Sequence, residues 1–126
     1  MAGRVVHFEI PFDDKERAKR FYSGVFGWQV DEMPGFDGYL GVSTGPTTDQ
    51  GMPSEPGFIG GGLAARGGTN THTVITISSA DIDADLSRVD ANGGEVLTGK
   101  TPIGDFGYAA YFKDTEGNVV GLWEDA

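Results

Sequence analysis

The two histidines and one glutamate are the candidates in this sequence for binding a metal ion or moving a proton. Residues 5–10 alternate with the period of a β-strand, which places His7 and Glu9 on the same face. His72 lies in a second alternating segment, residues 71–77. Imidazole nitrogens and carboxylate oxygens bind divalent metal ions, and a carboxylate can also act as a base. The same residues can instead be hydrogen-bonding groups that line a polar cavity, and the sequence leaves both interpretations open.

Aromatic residues and glycines in the predicted strands form a second set of candidates. The aromatic side chains either pack in a core or stack on a planar ligand. Glycine weakens a strand, so Gly121 and the glycines at 60–62 indicate that something approaches the backbone there or needs the space. The predicted ligand-binding residues are Tyr39, Tyr108, Gly121 and Trp123.

The elements that carry these residues occur twice in the same order. In the first half, a strand precedes an amphipathic helix that Asp13 is expected to cap and that Gly27 ends. In the second half, the segment 71–77 precedes a helix capped by Ser79 or Asp81, and three strands are predicted after each helix. The histidines are 72 − 7 = 65 residues apart and the helix-ending glycines 94 − 27 = 67. The pattern predicts an α+β fold of two βαβββ modules, about residues 1–65 and 70–126, in one domain spanning 1–126.

This element order and four short motifs resemble the vicinal oxygen chelate superfamily, the group of glyoxalase I, bleomycin-resistance proteins and extradiol dioxygenases. The motifs are RAKRFY at 17–22, VFGW at 25–28, DTEGN at 114–118 and GLWE at 121–124. The resemblance covers essentially the whole chain. It implies that the two modules form a half-barrel with a concave ligand cavity, and that the protein is a homodimer.

The resemblance also implies where a metal ion would bind. Metal-dependent members place a histidine on the first strand of each module, and these positions fall on His7 and His72. They place a carboxylate on the last strand of each module, but residues 59–63 hold none and the second position falls on Gly121. Glu124 lies on the opposite strand face. Because two imidazoles are too few ligands for a catalytic metal, Glu9 is the candidate third ligand of a Zn, Fe, Mn or Ni ion.

Two functions follow from these residues. The first, which we favour from the sequence, is a small-molecule binding protein of the glyoxalase or bleomycin-resistance type with an incomplete metal site. The alternative is a divalent-metal-dependent enzyme of the lyase, isomerase or dioxygenase type. It would use His7, His72 and Glu9, with Glu9 also available as the catalytic base.

Composition narrows the remaining classes. The chain has 126 residues, 21 of them glycine, no cysteine, and a formal net charge of −10. The lack of cysteine excludes thiol catalysis, thiolate zinc sites and disulfide scaffolds. The acidic balance disfavours nucleic acid as a partner. No apolar run suits a signal peptide or a membrane span, so we expect a cytoplasmic protein with no membrane partner.

Overall fold

The computed structural model describes residues 2–126, which form two compact units. The N-terminal unit is His7–Thr73, and the C-terminal unit is Val74–Ala126 together with residues 2–6. The elements, in chain order, are β1 (Val5–Phe12), α1 (Lys15–Phe26), β2 (Gln29–Glu32), β3 (Tyr39–Ser43), β4 (Gly60–Ala65), β5 (Val74–Ser78), α2 (Ile82–Ala91), β6 (Glu95–Ile103), β7 (Gly107–Lys113) and β8 (Val119–Asp125). The predicted α+β fold with the order βαβββ twice is therefore confirmed.

The N-terminal unit places its strands in the order β2-β3-β4-β1, and one face of this sheet is apolar. Strands β1 and β4 are parallel, whereas the other two pairs are antiparallel. Ala18 and Tyr22 of α1 pack against the apolar face. The buried residues of this face are Phe12, Val30, Leu40, Val42 and Leu63. Because side chains alternate along a strand, the intervening residues lie on the opposite face of the sheet.

Helix α1 begins one residue later than the sequence indicates. Asp14, rather than Asp13, is the N-cap, and its carboxylate accepts a hydrogen bond from the backbone N–H of Arg17. Asp13 is engaged elsewhere, in an ion pair with Arg66. Gly27 ends the helix in the left-handed conformation, with φ of 71°, as predicted. In the described residues 2–126, no helix is long and apolar enough to cross a membrane.

The C-terminal unit repeats this arrangement with the strand order β5-β8-β7-β6. Its core consists of Ile82, Leu86, Ala110 and Leu122. Strand β5 begins at Val74, three residues later than the alternating pattern indicates. The preceding segment is held in a turn, because Gly67 pairs with Asn70 and the Arg66 guanidinium donates to the carbonyl oxygen of Thr71.

Candidate functional site

The face of the N-terminal sheet opposite α1 carries polar side chains over a floor of glycine. Along β1 and β4, His7 is paired with Gly60, and Glu9 with Gly62. Along β3 and β4, Gly41 is paired with Gly62. Since alternate residues share a face, the register brings these positions to one side of the sheet. We call this surface the glycine face, and it consists of His7, Glu9, Tyr39, Gly41, Gly60 and Gly62.

Tyr39 crosses Gly62 to reach His7. The phenol oxygen of Tyr39 lies 2.7 Å from Nε2 of His7. A Cβ atom at position 62 would lie only 2.0 Å from that oxygen, far inside van der Waals contact. Glycine at position 62 is therefore a steric requirement of the Tyr39–His7 hydrogen bond. This explains part of the glycine run that the sequence marks as unusual.

The electrostatics of the glycine face favour a neutral His7. Burial lowers the pKa of His7 below its ordinary value of 6.5, and the negative charge of Glu9 opposes that shift only in part. A neutral imidazole has one donor and one acceptor nitrogen, so Nε2 either accepts the phenol proton or donates to the phenol oxygen according to the tautomer. In both cases the nitrogen nearest Tyr39 is engaged in a hydrogen bond.

Glu9 is buried on the same face. It is 7% exposed, and it accepts a hydrogen bond of 3.2 Å from the side-chain amide of Asn70. Asn70 was not a sequence candidate, because it belongs to the turn after β4 and not to a strand. The structure thus brings His7, Glu9, Tyr39 and Asn70 together in the N-terminal unit.

His72 takes no part in this cluster. It is exposed, precedes β5, and its Nδ1 lies 3.2 Å from the hydroxyl of Thr71. The start of α2 follows that of α1 by 82 − 15 = 67 residues, so the residue equivalent to His7 is 7 + 67 = 74, the buried Val74. The offset of 65 between the histidines therefore does not match equivalent positions. The prediction that His7 and His72 are equivalent was wrong, because it aligned the two modules on their histidines rather than on the starts of their helices.

The residues present do not fit the metal centre that the resemblance implies. Within residues 2–126, no three side chains of His, Asp or Glu are close enough to hold one ion. The space for a carboxylate at position 62 is filled by the phenol of Tyr39, which also engages Nε2 of His7. A catalytic metal needs about three protein ligands, and this face offers His7 and Glu9 only.

The corresponding face of the C-terminal unit is built around Gly121. This glycine is paired with Thr76 on one side and Tyr111 on the other. A Cβ at position 121 would lie 2.9 Å from the hydroxyl of Thr76 and 3.5 Å from the ring of Tyr111. Thr76 and Tyr111 were not among the sequence candidates, since only the register shows that they flank Gly121.

Trp123 shares the face of Gly121, whereas Tyr108 lies on the opposite face. The Trp123 ring packs on Gly107, where a Cβ would approach within 2.6 Å of it, and its indole N–H donates to Asp125 at 2.8 Å. Tyr108 is paired with Glu124, packs against the α2 core, and lies 4.4 Å from the Lys100 ammonium. Tyr108 and Trp123 therefore cannot contact one face of a ligand together.

Glu124 lies on the helix side of its sheet, as strand alternation predicts. Its carboxylate accepts from the backbone N–H of Ile82, the first residue of α2, and pairs with Lys100 at 3.0 Å. The hydrogen bond from Ile82, followed by the interaction with Lys100, lowers the pKa of Glu124. This glutamate stabilises the start of a helix and is not a ligand on the Gly121 face.

Comparisons with known proteins identify the family. The family described as "Bleomycin resistance protein-like N-terminal" matches residues 4–45. A glyoxylase-like domain-containing protein of Didymella fabae is 30% identical over an alignment of 126 positions that covers 93% of this chain and 90% of that protein. The chain therefore belongs to the glyoxalase/bleomycin resistance/dioxygenase group, the vicinal oxygen chelate superfamily.

A mycobacterial relative and a solved structure extend the comparison. A Mycobacterium tuberculosis protein described as "Putative glyoxylase CFP32" is 32% identical over an alignment of 115 positions that covers 88% of this chain. The chain spans only 41% of the length of that relative. A Streptomyces coelicolor methylmalonyl-CoA epimerase in complex with 2-nitronate-propionyl-CoA has a TM-score of 0.69 at 19% identity, covering 100% of this chain and 99% of that one. At this identity the likeness establishes the fold alone.

Proposed function

We propose that this protein binds a small organic molecule on the glycine face and does so without a metal ion. The observation that carries the proposal is the Tyr39–His7 hydrogen bond across Gly62. The phenol occupies the space above Gly62, on the strand where the resemblance to metal-dependent members would put a carboxylate. The face retains the polar groups of a binding site while lacking the ligand set of a metal centre.

The chemistry of the face indicates the kind of ligand. Gly60 is partly exposed and leaves peptide backbone where a side chain would otherwise stand, which favours a flat molecule. The Glu9 carboxylate accepts hydrogen bonds, and Tyr39 and His7 offer a mixed donor and acceptor pair. The expected ligand is therefore a planar molecule that carries a hydrogen-bond donor for Glu9. The bleomycin-resistance-like family match is consistent with a binding role.

An enzyme that uses Glu9 as a base is the second candidate. The observation in its favour is the low exposure of Glu9 beside a neutral His7. A buried carboxylate next to a neutral imidazole can accept a proton from a bound carbon or oxygen acid. The glyoxylase and epimerase names of the proteins compared above belong to those proteins, and for this chain they only make an enzymatic role worth testing.

The test compares ligand binding with metal binding in the same preparation. A library of planar small molecules is screened by two-dimensional NMR of the labelled protein, with and without a chelator, and Zn, Mn, Ni and Fe(II) are titrated separately by calorimetry. We expect ligands that shift the resonances of Tyr39 and His7 equally with and without chelator. Binding that requires an added metal would contradict the proposal.

Two tyrosine variants locate the site. Tyr39→Phe keeps the ring and removes the hydroxyl, and it is expected to weaken ligand binding about tenfold, the effect of losing roughly one hydrogen bond. Tyr108→Phe makes the same chemical change on the helix side of the other unit and is the matched control. Equal effects of the two substitutions would show that the ligand does not contact the glycine face.

A further inference from the structure

A cleft of about 520 Å³ opens between α2 and the sheet of the C-terminal unit. Its sheet side is lined by Ile77, Phe112 and Leu122, and Val89 of α2 lines its helix side. Leu122 is buried, whereas Ile77 and Phe112 pack against the core and stay partly exposed. Small organic molecules bind in clefts of this volume that are mostly apolar. The cleft therefore offers an apolar surface large enough for a small ligand.

The cleft is separate from both polar faces described above. In the ladder between β5 and β8, Ile77 is paired with Leu122, and the preceding pair is Thr76 with Gly121. Because side chains alternate along a strand, the cleft lies on the helix side of the sheet and Gly121 on the other side. The residues of the glycine face all belong to the N-terminal unit, and those of the cleft all belong to the C-terminal unit.

An arginine provides the charge that the cleft presents to a ligand. The Arg88 side chain is 68% exposed and pairs with Asp85, whose side chain is 29% exposed, one turn earlier on α2. The other carboxylate oxygen of Asp85 accepts a hydrogen bond from the Ser79 hydroxyl. A guanidinium has five N–H donors, so a bond to one carboxylate oxygen leaves donors for a second acceptor. Asp85 thus holds in place a cation that can still bind an anion.

The equivalent groove of the N-terminal unit is filled by aromatic rings. With the offset of 67 between the helix starts, Arg88 corresponds to Phe21 (21 + 67 = 88) and Val89 to Tyr22 (22 + 67 = 89). Both rings line that groove, which has a volume of about 310 Å³, and Tyr22 stacks on Trp28 with the ring centroids 5.0 Å apart. The cleft of the C-terminal unit is 520 − 310 = 210 Å³ larger. The repeat has therefore exchanged packing rings for space and a positive charge.

We propose that the cleft beside α2 is a second binding site, which takes small apolar carboxylic acids. The hydrocarbon part of such a molecule covers Ile77, Phe112 and Leu122 and removes their apolar surface from water. Its carboxylate pairs with Arg88 through charge-assisted hydrogen bonds. A cationic ligand would be repelled by Arg88 and would find both oxygens of Asp85 engaged. This inference is independent of the proposed function, because it concerns a different surface of the molecule.

A titration of the isotope-labelled protein with octanoate, followed by two-dimensional NMR, tests the site. Saturable shifts are expected for the methyl resonances of Ile77, Val89 and Leu122, without shifts at Tyr39 and His7. The alcohol 1-octanol has the same hydrocarbon chain and no carboxylate, and it is expected to bind about tenfold more weakly. Shifts confined to Tyr39 and His7, the absence of saturable shifts, or equal binding of the alcohol would each overturn the proposal.

Two substitutions separate the charge from the space. Arg88→Gln removes the charge at an exposed position and is expected to weaken octanoate binding about tenfold while leaving 1-octanol unchanged. Val89→Tyr copies Tyr22 into the cleft and is expected to prevent binding of both molecules. Arg20→Gln, at an exposed arginine of α1, is the matched control and should change neither.

Thermal melts establish that each variant is folded. If Val89→Tyr does not fold, Arg88→Gln alone decides, because its side chain is exposed and its replacement leaves the core intact. Octanoate binding that Arg88→Gln leaves undiminished, or that Arg20→Gln weakens equally, would contradict recognition of the carboxylate by Arg88.

Discussion

The phenol oxygen of Tyr39 lies 2.7 Å from Nε2 of His7, and the tyrosine ring reaches it by passing over the bare backbone of Gly62. Three strands meet in this contact, since Tyr39 is on β3, Gly62 on β4 and His7 on β1. The contact fixes the positions of two polar groups on the glycine face and fills the space that a side chain at position 62 would need.

Replacing Gly62 by alanine should be costly. The added methyl would lie 2.0 Å from the Tyr39 hydroxyl, so the ring must move and the hydrogen bond to His7 must break. We expect a loss of about 1–3 kcal/mol in the free energy of unfolding, measured by urea denaturation. Gly99→Ala is the matched control in strand β6, because a Cβ there meets nothing within 4 Å. Equal stability of the two variants would contradict this account.

Adding Tyr39→Ala to Gly62→Ala should recover part of that loss. With the ring removed, the methyl at position 62 no longer meets the phenol. The double variant is therefore expected to be more stable than the sum of the two single changes implies, by about 0.5–3 kcal/mol. Strict additivity in urea denaturation would show that the two positions are not in contact.

The stability of the fold should decrease as the pH falls below neutrality, in part because of His7. Its folded-state pKa lies below 6.5, so the unfolded chain binds the proton more readily. The contribution of the neutral ring is therefore complete above the unfolded pKa and is lost as the pH falls through the lowered value. His7→Gln should flatten this part of the curve of unfolding free energy against pH. His72→Gln, at the exposed histidine, is the control, and a larger effect there would contradict the assignment.

Glu124 should matter for the start of α2. Glu124→Ala removes the acceptor for the Ile82 N–H and the partner of Lys100, so a lower melting temperature is expected. Because its pKa is lowered in the folded state, this contribution is present above the unfolded pKa and is lost as the pH falls through the lowered value. Glu95→Ala, at an exposed strand glutamate, should change the melting temperature less at every pH.

A metal site should be obtainable by two substitutions. Tyr39→Ala combined with Gly62→Glu removes the phenol and adds a carboxylate beside His7 and Glu9, which makes three candidate ligands. We expect the affinity for Zn or Ni to rise by more than about tenfold, or 1.4 kcal/mol, over the unmodified protein in calorimetric titrations. Tyr39→Ala alone is the control. If it gains as much affinity as the double variant, the carboxylate position does not lie where the register places it.

Much of the fold could be predicted because it depends on local patterns. Local patterns predicted the strand at residues 5–10 and the end of helix α1 at Gly27. They also predicted that Glu124 lies on the same strand face as Leu122, because side chains alternate along a strand. The motifs at 17–28 and 114–124 were sufficient to indicate the family that the comparisons confirm. The cap of α1 was misplaced by one residue, since the choice between Asp13 and Asp14 depends on the distant Arg66.

The sequence by itself determined the order of the elements, the family and the candidate status of His7, Glu9 and Tyr39. Only the tertiary structure decided which of these residues meet. The pairing of Tyr39 with His7 and the placement of Tyr108 away from Trp123 depend on the register between strands that are far apart in the chain. A shift of one residue in that register would turn each side chain to the other face, and alternation within one strand carries no information about its neighbour. The exposure of Phe21 and Val25 could not be predicted either, because the apolar pattern of a helix is the same whether that face is buried or exposed.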